Sequence, residues 1–504
     1  MPLPLLTILA LVPLVGSLVL FIVKGQAGRL IGYGFALTTA ILGVLAVVLQ
    51  ARGVPLAEEV AWIPQIGAHY ALDLDGMGAI LVLMTVILVP VVLLAEWRVG
   101  EAPEARWGAE TFFALALMLQ SFALFVFMAS DILVFYVAFE ATLIPTYFLI
   151  GGFGGPKRAA AAMKFLLYSL AGGLVMLVAV AGVYAVTAAA GSPSFLIGDL
   201  VGVEMSTDMG RWLFLGFFFA FAVKAPLAGL HTWLPDAAEQ STPGTSTLLV
   251  GVLDKIGTFG MLKICLVAFP EATQWATPVI LVWAIVSVLY GAFMAFGATD
   301  LLRLVSYTSI SHFGFMVFGI FALTTPSISG SIFYMLNHGL STAAMFLVVG
   351  FMIRRRGSQH IDAFGGVQKV APVLAGVLLM SGLSALALPG MGSFVSEFLV
   401  MAGAWQVYPV HTAVITLGMV LAAVYVLRMY KTTMTGPVTD QVATHVTHDL
   451  SAREKAVVAP LLILLIVFGF VPKPMLAMAD DTAAQIMAVV GVEDPAPQVK
   501  EGNR

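Results

Sequence analysis

Long apolar segments separated by short polar stretches make up most of this chain. A helix needs about 20 apolar residues to cross the hydrocarbon core of a bilayer. The apolar residues run continuously, whereas the strands of a membrane barrel alternate apolar and polar positions. The pattern therefore predicts an all-α polytopic membrane protein with about 14 transmembrane helices. The predicted spans are 2–23, 30–50, 77–97, 111–129, 131–151, 163–186, 211–234, 245–269, 276–297, 301–323, 330–351, 371–406, 411–434 and 456–473.

Proline and glycine interrupt the seventh and the twelfth predicted spans. The seventh contains Ala-Pro-Leu-Ala-Gly-Leu at 225–230, and the twelfth contains Leu-Pro-Gly-Met-Gly at 388–392. A broken helix exposes backbone groups that lipid cannot satisfy, so such breaks are tolerated where they line a cavity or contact other protein. Interrupted helices in corresponding positions of two halves are typical of transporters built from inverted repeats.

The amino-acid composition favours a membrane protein over a soluble one. Hydrophobic residues make up 60% of the chain and charged residues 10%, with a mean hydropathy of +1.00, whereas soluble domains carry about 25% charged residues. The lipid bilayer is thus the expected partner, and no nucleic-acid-binding surface is indicated. The single cysteine, Cys265, excludes an internal disulfide. We expect no cofactor on this chain, because no nucleotide, haem or flavin motif appears in the sequence. We expect no metal site, because His445 and His448 stand in a loop without a supporting cysteine or a third ligand.

The distribution of basic residues predicts the orientation in the membrane. With fourteen spans, sixteen lysines and arginines fall in the loops of one face, whereas the interior loops of the other face hold only Arg52 and Arg211. Cytoplasmic loops carry the excess of positive charge. We therefore expect a multi-pass protein of a bacterial inner membrane with both termini on the periplasmic side.

Ionisable residues inside the predicted spans carry the most information about function. A charge at the centre of a bilayer costs at least about 2.5–3.5 kcal/mol. Burial favours the neutral form of a lysine and a nearby carboxylate favours the charged form, so a movable pair can bind and release protons. Histidine titrates near neutrality and can relay them. We interpret these residues as a proton path, with Glu140, Lys224, Lys255, His231, His312, His338 and Glu397 as its members.

Each of these residues has a simpler interpretation. A buried lysine–glutamate pair can clamp two helices, and a membrane histidine can hydrogen-bond a backbone carbonyl. Two further residues are weaker candidates. Asp254 neighbours Lys255, but adjacent helical residues point to different faces. Lys263 either extends to the outer surface or meets a partner.

Three sequence motifs surround Lys224, His312 and His338. The longest is Val-Lys-Ala-Pro-Leu-Ala-Gly-Leu-His-Thr-Trp-Leu-Pro-Asp-Ala at 223–237. The others are Tyr-Thr-Ser-Ile-Ser-His-Phe-Gly-Phe at 307–315 and Asn-His-Gly-Leu-Ser-Thr-Ala at 337–343. Together they resemble the antiporter-like membrane subunits of respiratory complex I, a family shared with the multisubunit sodium–proton antiporters. The resemblance implies a proton-translocating subunit of an NADH:quinone oxidoreductase, with the redox chemistry on other subunits.

The resemblance also implies a detailed layout. Two inverted five-helix repeats would comprise spans 4–8 and 9–13, with helices 7 and 12 broken. The expected parts are 1–110 with three helices, 111–270 and 271–435 with one repeat each, and 436–504 with a loop, the final helix and a tail. Glu140 would be the partner of Lys224. Lys224 and Lys255 would be the central carriers, His312 and His338 the relays, and Glu397 the last carrier.

One position at which the subunits of this family differ indicates which type of subunit this chain is. The sibling subunits usually carry lysine where this chain has Glu397, and one subunit type carries glutamate there. We also expect no long lateral helix after the fourteenth span, unlike the largest sibling. The implied partners are the other membrane-arm subunits, namely two antiporter-like siblings and the lateral helix of the largest one.

Two other functions stay open at this point. The chain could serve a multisubunit cation/proton antiporter without redox coupling, although Glu397 argues against it. It could also be a structural spacer, although leucine would hold helices together at lower cost than lysine in mid-membrane.

Overall fold

The computed structural model describes residues 4–103 and 105–496. The start of the first predicted span, at residue 2, and the end of the predicted tail lie outside these residues. Helices make up most of the described chain. Its first part contains α1 Leu5–Ile22, α2 Gly25–Ala51, α3 Gly76–Ala95, α4 Ala109–Met128, α5 Ile132–Ala141, α6 Leu143–Phe153, α7 Arg158–Ala189 and α8 Ile197–Leu200. Its middle part contains α9 Thr207–Lys224, α10 Trp233–Gln240, α11 Pro243–Leu248, α12 Lys255–Gly260, α13 Pro270–Gly297, α14 Leu301–Phe321 and α15 Thr325–Arg356. Its last part contains α16 Pro372–Ala385, α17 Gly392–Trp405, α18 Pro409–Met434, α19 Asp440–His445, α20 Ala452–Phe470 and α21 Lys473–Val490.

The helices agree with a polytopic membrane protein. Within residues 4–103 and 105–496, ten helices are long and apolar enough to cross a membrane, or up to twelve if two bent helix pairs each count as one span. Length and apolarity alone thus support a smaller number than the fourteen predicted spans. The difference arises partly where helices are divided into short pieces, as in the predicted spans 211–234 and 245–269.

A two-stranded antiparallel hairpin is the element that the apolar pattern did not predict. Strand β1 (Ala57–Ile63) pairs with β2 (Ala68–Asp73) between α2 and α3. Gly67 has a φ of +70° at the turn, a conformation that glycine adopts without steric cost. The hairpin contacts the chain beyond it, because the backbone N–H of His69 donates to the Asp131 carboxylate over 2.9 Å.

Both predicted helix breaks are present. Helix α9 ends at Lys224, and α10 begins only at Trp233, with Gly229 at a φ of +95° between them. Helix α16 ends at Ala385 and α17 begins at Gly392, with Gly390 at a φ of +98°. Glycine is needed at these two positions because other residues rarely adopt such angles.

Helices α14 and α15 form the centre of the molecule. Nearly every residue of both helices is buried. Large apolar side chains are exposed instead on α2, α7, α13 and α18, as at Ile41, Val178, Val279 and Val410. A helix that is buried all round lies in a core, and one with an exposed apolar face suits contact with lipid or another subunit.

Two π-helical turns flank α12. They comprise Leu249–Leu253 and Met261–Leu266. The N–H of Asp254 accordingly donates to the carbonyl of Leu249, five residues earlier, over 3.0 Å. The additional residue in each turn rotates the following side chains relative to a regular helix, and such turns occur often at functional sites.

Candidate functional site: a buried polar axis

Glu140 lies on α5 and faces a gap left by a glycine of α7. A Cβ atom at Gly173 would lie only 1.8 Å from Glu140 Oε1, so the carboxylate packs directly on the backbone there. In the described part of the chain, Oε1 has no hydrogen-bond partner. Glu140 and Lys224 lie close enough for their charges to interact.

Lys224 is the last residue of α9, at the edge of the break. Its side chain is 1% exposed. The Nζ atom lies 5.0 Å from the centre of the Phe139 ring and 5.4 Å from that of Phe165, distances at which a cation is attracted to an aromatic face. Among the described residues, Nζ has no hydrogen-bond acceptor. This lysine is therefore held by charge and aromatic contacts.

Lys255 begins α12, directly after the first π-helical turn. Its Nζ atom donates to the Val250 carbonyl over 2.8 Å and lies 2.6 Å from His338 Nδ1. The ring of Phe313 covers it, with its centre 4.6 Å from Nζ. The side chain is fully buried. Lys255 and His338 can share one proton between two nitrogen atoms.

From His338 the contacts continue to Glu397. The rings of His338 and His312 meet edge to face with their centres 5.2 Å apart. The His312 ring lies 5.8 Å from that of Tyr334, whose hydroxyl donates to Glu397 Oε1. All these side chains are buried. We call the set Glu140, Lys224, Lys255, His338, His312, Tyr334 and Glu397 the polar axis.

The structure brings together six of the seven residues predicted from the sequence and sets one apart. His231 lies in the break after α9, where its Nδ1 accepts from the Gly229 N–H over 3.1 Å. Its aromatic neighbours among the described residues are Tyr290, at 4.9 Å between ring centres, and Tyr307, at 6.4 Å. His231 therefore packs beside tyrosines of α13 and α14, and within the described residues no hydrogen bond joins it to the polar axis.

Sequence reasoning missed Tyr334, because a tyrosine in an apolar helix gives no distinctive signal. It also set aside Asp254, which is completely buried. Asp254 lies close enough to both Lys224 and Lys255 for their charges to interact. Its position beside Lys255 in the sequence was the available signal.

A second cluster of charges lies at the start of α14, outside the polar axis. Asp236 accepts from Lys164 Nζ over 2.7 Å and from the Arg303 guanidinium over 2.8 Å, and Arg303 also donates to Glu239 over 2.7 Å. Burial raises the pKa of Asp236, but the hydrogen bonds from Lys164 and Arg303 outweigh it and hold the pKa below its usual value. Nearby, burial raises the pKa of Asp300 to about 6.

The third lysine well inside a predicted span has a carboxylate of its own. Lys263 Nζ lies 2.5 Å from Asp75 Oδ2, so it meets a partner and does not simply extend to the surface. Across residues 4–103 and 105–496, no group of three or more histidine, cysteine, aspartate or glutamate side chains could hold a metal ion.

A broken-helix membrane fold with titratable groups buried across its centre defines a class of ion-translocating membrane proteins. Comparison with known proteins identifies the family within it. A family model described as NADH:quinone oxidoreductase/Mrp antiporter, TM matches residues 129–422. The chain belongs to this family, and the resemblance predicted from its three motifs is confirmed.

Three relatives show how far the similarity extends. The NADH-quinone oxidoreductase subunit M of Mycobacterium tuberculosis is 45% identical over 533 aligned positions, covering 98% of this chain and 96% of that protein. A chain of respiratory complex I from Thermus thermophilus with bound NADH superposes with a TM-score of 0.87 at 30% identity, covering 97% of this chain and all of that one. The Mrp complex from Dietzia sp. DQ12-45-1b gives 0.84 at 20% identity, covering 97% and 100%.

The Mrp structure and the sequence relatives support conclusions of different detail. At 20% identity the Mrp match shows the fold alone, and this fold occurs in both kinds of complex. The sequence relatives instead bear the subunit M name, which is the type expected from the glutamate at Glu397. The similarity thus favours the complex I branch of the family.

Proposed function

We infer that this chain is a proton-translocating membrane-arm subunit of an NADH:quinone oxidoreductase, and we propose that protons pass along the polar axis. The observation that carries the proposal is the unbroken series of buried contacts from Lys255 through His338 and His312 to Tyr334 and Glu397. We propose that NADH oxidation and quinone reduction occur on other subunits, as the resemblance to complex I implies.

The pair Glu140 and Lys224 provides a switch at one end of the axis. Burial favours a neutral lysine, whereas a nearby carboxylate favours the charged one. Neither Lys224 Nζ nor Glu140 Oε1 is fixed by a hydrogen bond within the described chain, so a change in their separation is not resisted by one. Moving the carboxylate away releases a proton from Lys224, and its return restores the ammonium.

The section from Lys255 to Glu397 provides the transfer path. The 2.6 Å contact between Lys255 and His338 can pass a proton in either direction. Neutral imidazole accepts at one nitrogen and donates at the other, so two adjacent histidines carry a proton onward by exchanging tautomers. Glu397 then receives it, with Tyr334 holding the carboxylate in place.

The membrane layout proposed for this function has fourteen spans. Two inverted five-helix repeats occupy 111–270 and 271–435, preceded by three helices in 1–110 and followed by 436–504. Both chain termini face the periplasm of a bacterial inner membrane. Supporting this layout are the Pro/Gly breaks at matching places in the two repeats, and the sixteen basic residues on one predicted face.

Partner subunits follow from the same assignment. We propose that this chain contacts two antiporter-like siblings in the membrane arm and the lateral helix of the largest one. Support comes from the exposed apolar faces of α2, α7, α13 and α18, which suit contact with a neighbouring subunit as well as with lipid.

Proton pumping in inside-out membrane vesicles that contain the whole complex tests the proposal. NADH and a soluble quinone start turnover, a pH-sensitive dye reports internal acidification, and electron transfer from NADH to ferricyanide reports the amount of assembled enzyme. Lys224→Ala is expected to abolish most pumping and most coupled quinone reduction. Lys431→Ala, which alters an exposed lysine, is the matched control and should leave both intact. Normal pumping by Lys224→Ala would refute the role of the axis.

The rival antiporter function differs from the proposed one in what drives proton movement. In the same vesicles, a sodium gradient imposed without NADH should move no protons through this subunit.

Glu397 provides a further comparison, because Glu397→Gln keeps a hydrogen-bonding group and should lose less activity than Glu397→Ala. Equal losses would show that hydrogen bonding at this position contributes nothing.

A further inference from the structure

Asp254 is a buried carboxylate that has no role in the proposed polar axis. It is 0% exposed, and neither Oδ1 nor Oδ2 has a hydrogen-bond partner among the described residues. Buried polar side chains nearly always have partners, and each exception calls for an explanation. Lys224 Nζ and Glu140 Oε1 share this condition, so three unpartnered polar groups occur around the end of α9.

The packing of α12 shows which way Asp254 faces. Gly257, three residues later, lies on the same side of the helix. A Cβ atom at Gly257 would lie 2.5 Å from the Ala225 backbone nitrogen and 2.6 Å from the Phe221 carbonyl oxygen. That side of α12 therefore packs directly on the end of α9, where Lys224 is the last helical residue.

Lys255 faces a different direction, because its Nζ atom contacts His338 on α15. Two consecutive residues thus connect the two halves of the axis, with Asp254 towards Lys224 and Lys255 towards His338. The π-helical turn Leu249–Leu253 immediately precedes both residues and sets this rotation. Asp254 also interacts electrostatically with both lysines.

A buried carboxylate without hydrogen bonds is costly, since removing an ion from water costs several kcal/mol that only well-placed partners return. Leucine would pack α12 against α9 without that cost. A role confined to packing therefore does not account for Asp254.

We propose that Asp254 is a proton carrier that links Lys224 to Lys255, an inference that rests on the proton path proposed above. In the first step the Lys224 ammonium gives a proton to the Asp254 carboxylate, which leaves a neutral amine and a carboxylic acid. In the second step the acid gives that proton to the neutral amine of Lys255, which regenerates the carboxylate and forms an ammonium. One proton moves, and the total charge of the three groups is unchanged.

The test uses the whole complex in the inside-out vesicles, with NADH–quinone turnover and pumping normalised to the ferricyanide activity. Asp254→Asn keeps the shape of the side chain and removes its ionisable proton. We expect both activities to fall about tenfold, which is below the 10²–10⁴ range of a general acid or base because other groups can carry part of the proton flow. Asp254→Glu restores a carboxyl group and should recover a large part of the loss. Thr258→Val alters a buried polar residue on the same short helix and is the matched control.

Chemical rescue distinguishes a proton carrier from a residue that only balances charge or maintains packing. Asp254→Ala leaves space for a small acid, so added formate should raise its coupled rate severalfold, whereas Asp254→Asn fills the space and should not respond. The rise is measured within one preparation, so it does not depend on how much complex assembles. No rise with formate, together with no recovery in Asp254→Glu, would overturn the proposal.

The outcomes also distinguish a failure of the Asp254 proposal from a failure of the proposed polar axis. Wild-type pumping by Asp254→Asn together with an inactive Lys224→Ala would remove Asp254 from the path and leave the polar axis in place. Wild-type pumping by both variants would remove the axis itself.

Discussion

The Nζ atom of Lys255 lies 2.6 Å from Nδ1 of His338, and both residues are buried. Two basic groups so close in a low-dielectric interior cannot both carry a full charge without strong repulsion. One proton shared between them is the arrangement that this distance allows. The contact couples a short helix between two π-helical turns, α12, to the long buried helix α15.

If protons follow the proposed path, the proton shared with Lys255 makes His338 necessary for transfer beyond that lysine. His338→Leu removes the acceptor while keeping an apolar side chain in the core, so coupled quinone reduction and pumping should both fall about tenfold or more. His338→Gln retains an acceptor and should lose less. His445→Leu, at an exposed histidine, serves as the control in the vesicle assay. Unchanged pumping by His338→Leu would mean that protons leave Lys255 by another route.

The glycine that faces Glu140 can be tested without changing any charge. A methyl group at Gly173 would overlap Glu140 Oε1 at 1.8 Å, so Gly173→Ala should displace the carboxylate from Lys224 and lower coupled activity severalfold. Gly151→Ala is the matched control, since its added Cβ would meet its nearest neighbour, the Ala162 Cβ, at an ordinary 3.6 Å. Equal rates for the two variants would show that the position of Glu140 is unimportant.

The Tyr334 hydroxyl group donates a hydrogen bond to the Glu397 carboxylate. Tyr334→Phe keeps the ring and leaves a buried carboxylate without this donor, a loss that costs about 1–3 kcal/mol. Since 1.4 kcal/mol corresponds to a factor of ten, we expect coupled turnover to fall about tenfold, with assembly monitored by ferricyanide reduction. Tyr184→Phe, on the outer helix α7, should have no effect. A fully active Tyr334→Phe would place Tyr334 outside the transfer path.

The sequence predicted those features that depend on a strong local signal. The membrane-spanning helices follow from continuous apolar runs, and the breaks around Gly229 and Gly390 follow from proline and glycine in those runs. The ionisable residues of the axis stood out because a charge in lipid is costly, which is why Glu140, Lys224, Lys255 and Glu397 were all identified.

Features that depend on tertiary packing were not predictable in this way. The hairpin at β1 and β2 lies in a short stretch between two spans, where apolar periodicity says little. The direction of Asp254 depends on a π-helical turn, and a regular helical model gives no means of placing it. His231 lies in an irregular break, so its approach to Tyr290 could not be derived from helical spacing.

Lys263 contrasts with the lysines of the proposed proton path, because its contacts suit it to holding helices together. Its Nζ atom forms a 2.5 Å ion pair with Asp75, whose other oxygen accepts from the Gly78 N–H at the start of α3 over 2.6 Å. A fixed pair of this kind has no need to exchange protons. Lys263→Met should therefore keep the number of protons pumped per NADH.

The same substitution should speed the loss of coupled activity on heating. Breaking a largely buried ion pair can cost 3–5 kcal/mol, but Asp75 keeps its hydrogen bond to the helix start, so we expect about 1–3 kcal/mol. Asp75→Asn combined with Lys263→Met should cost less than the sum of the two single changes, because their side chains are in direct contact. Lys431→Met is the control for both measurements. Loss of pumping with unchanged heat stability would assign Lys263 to the proton path instead.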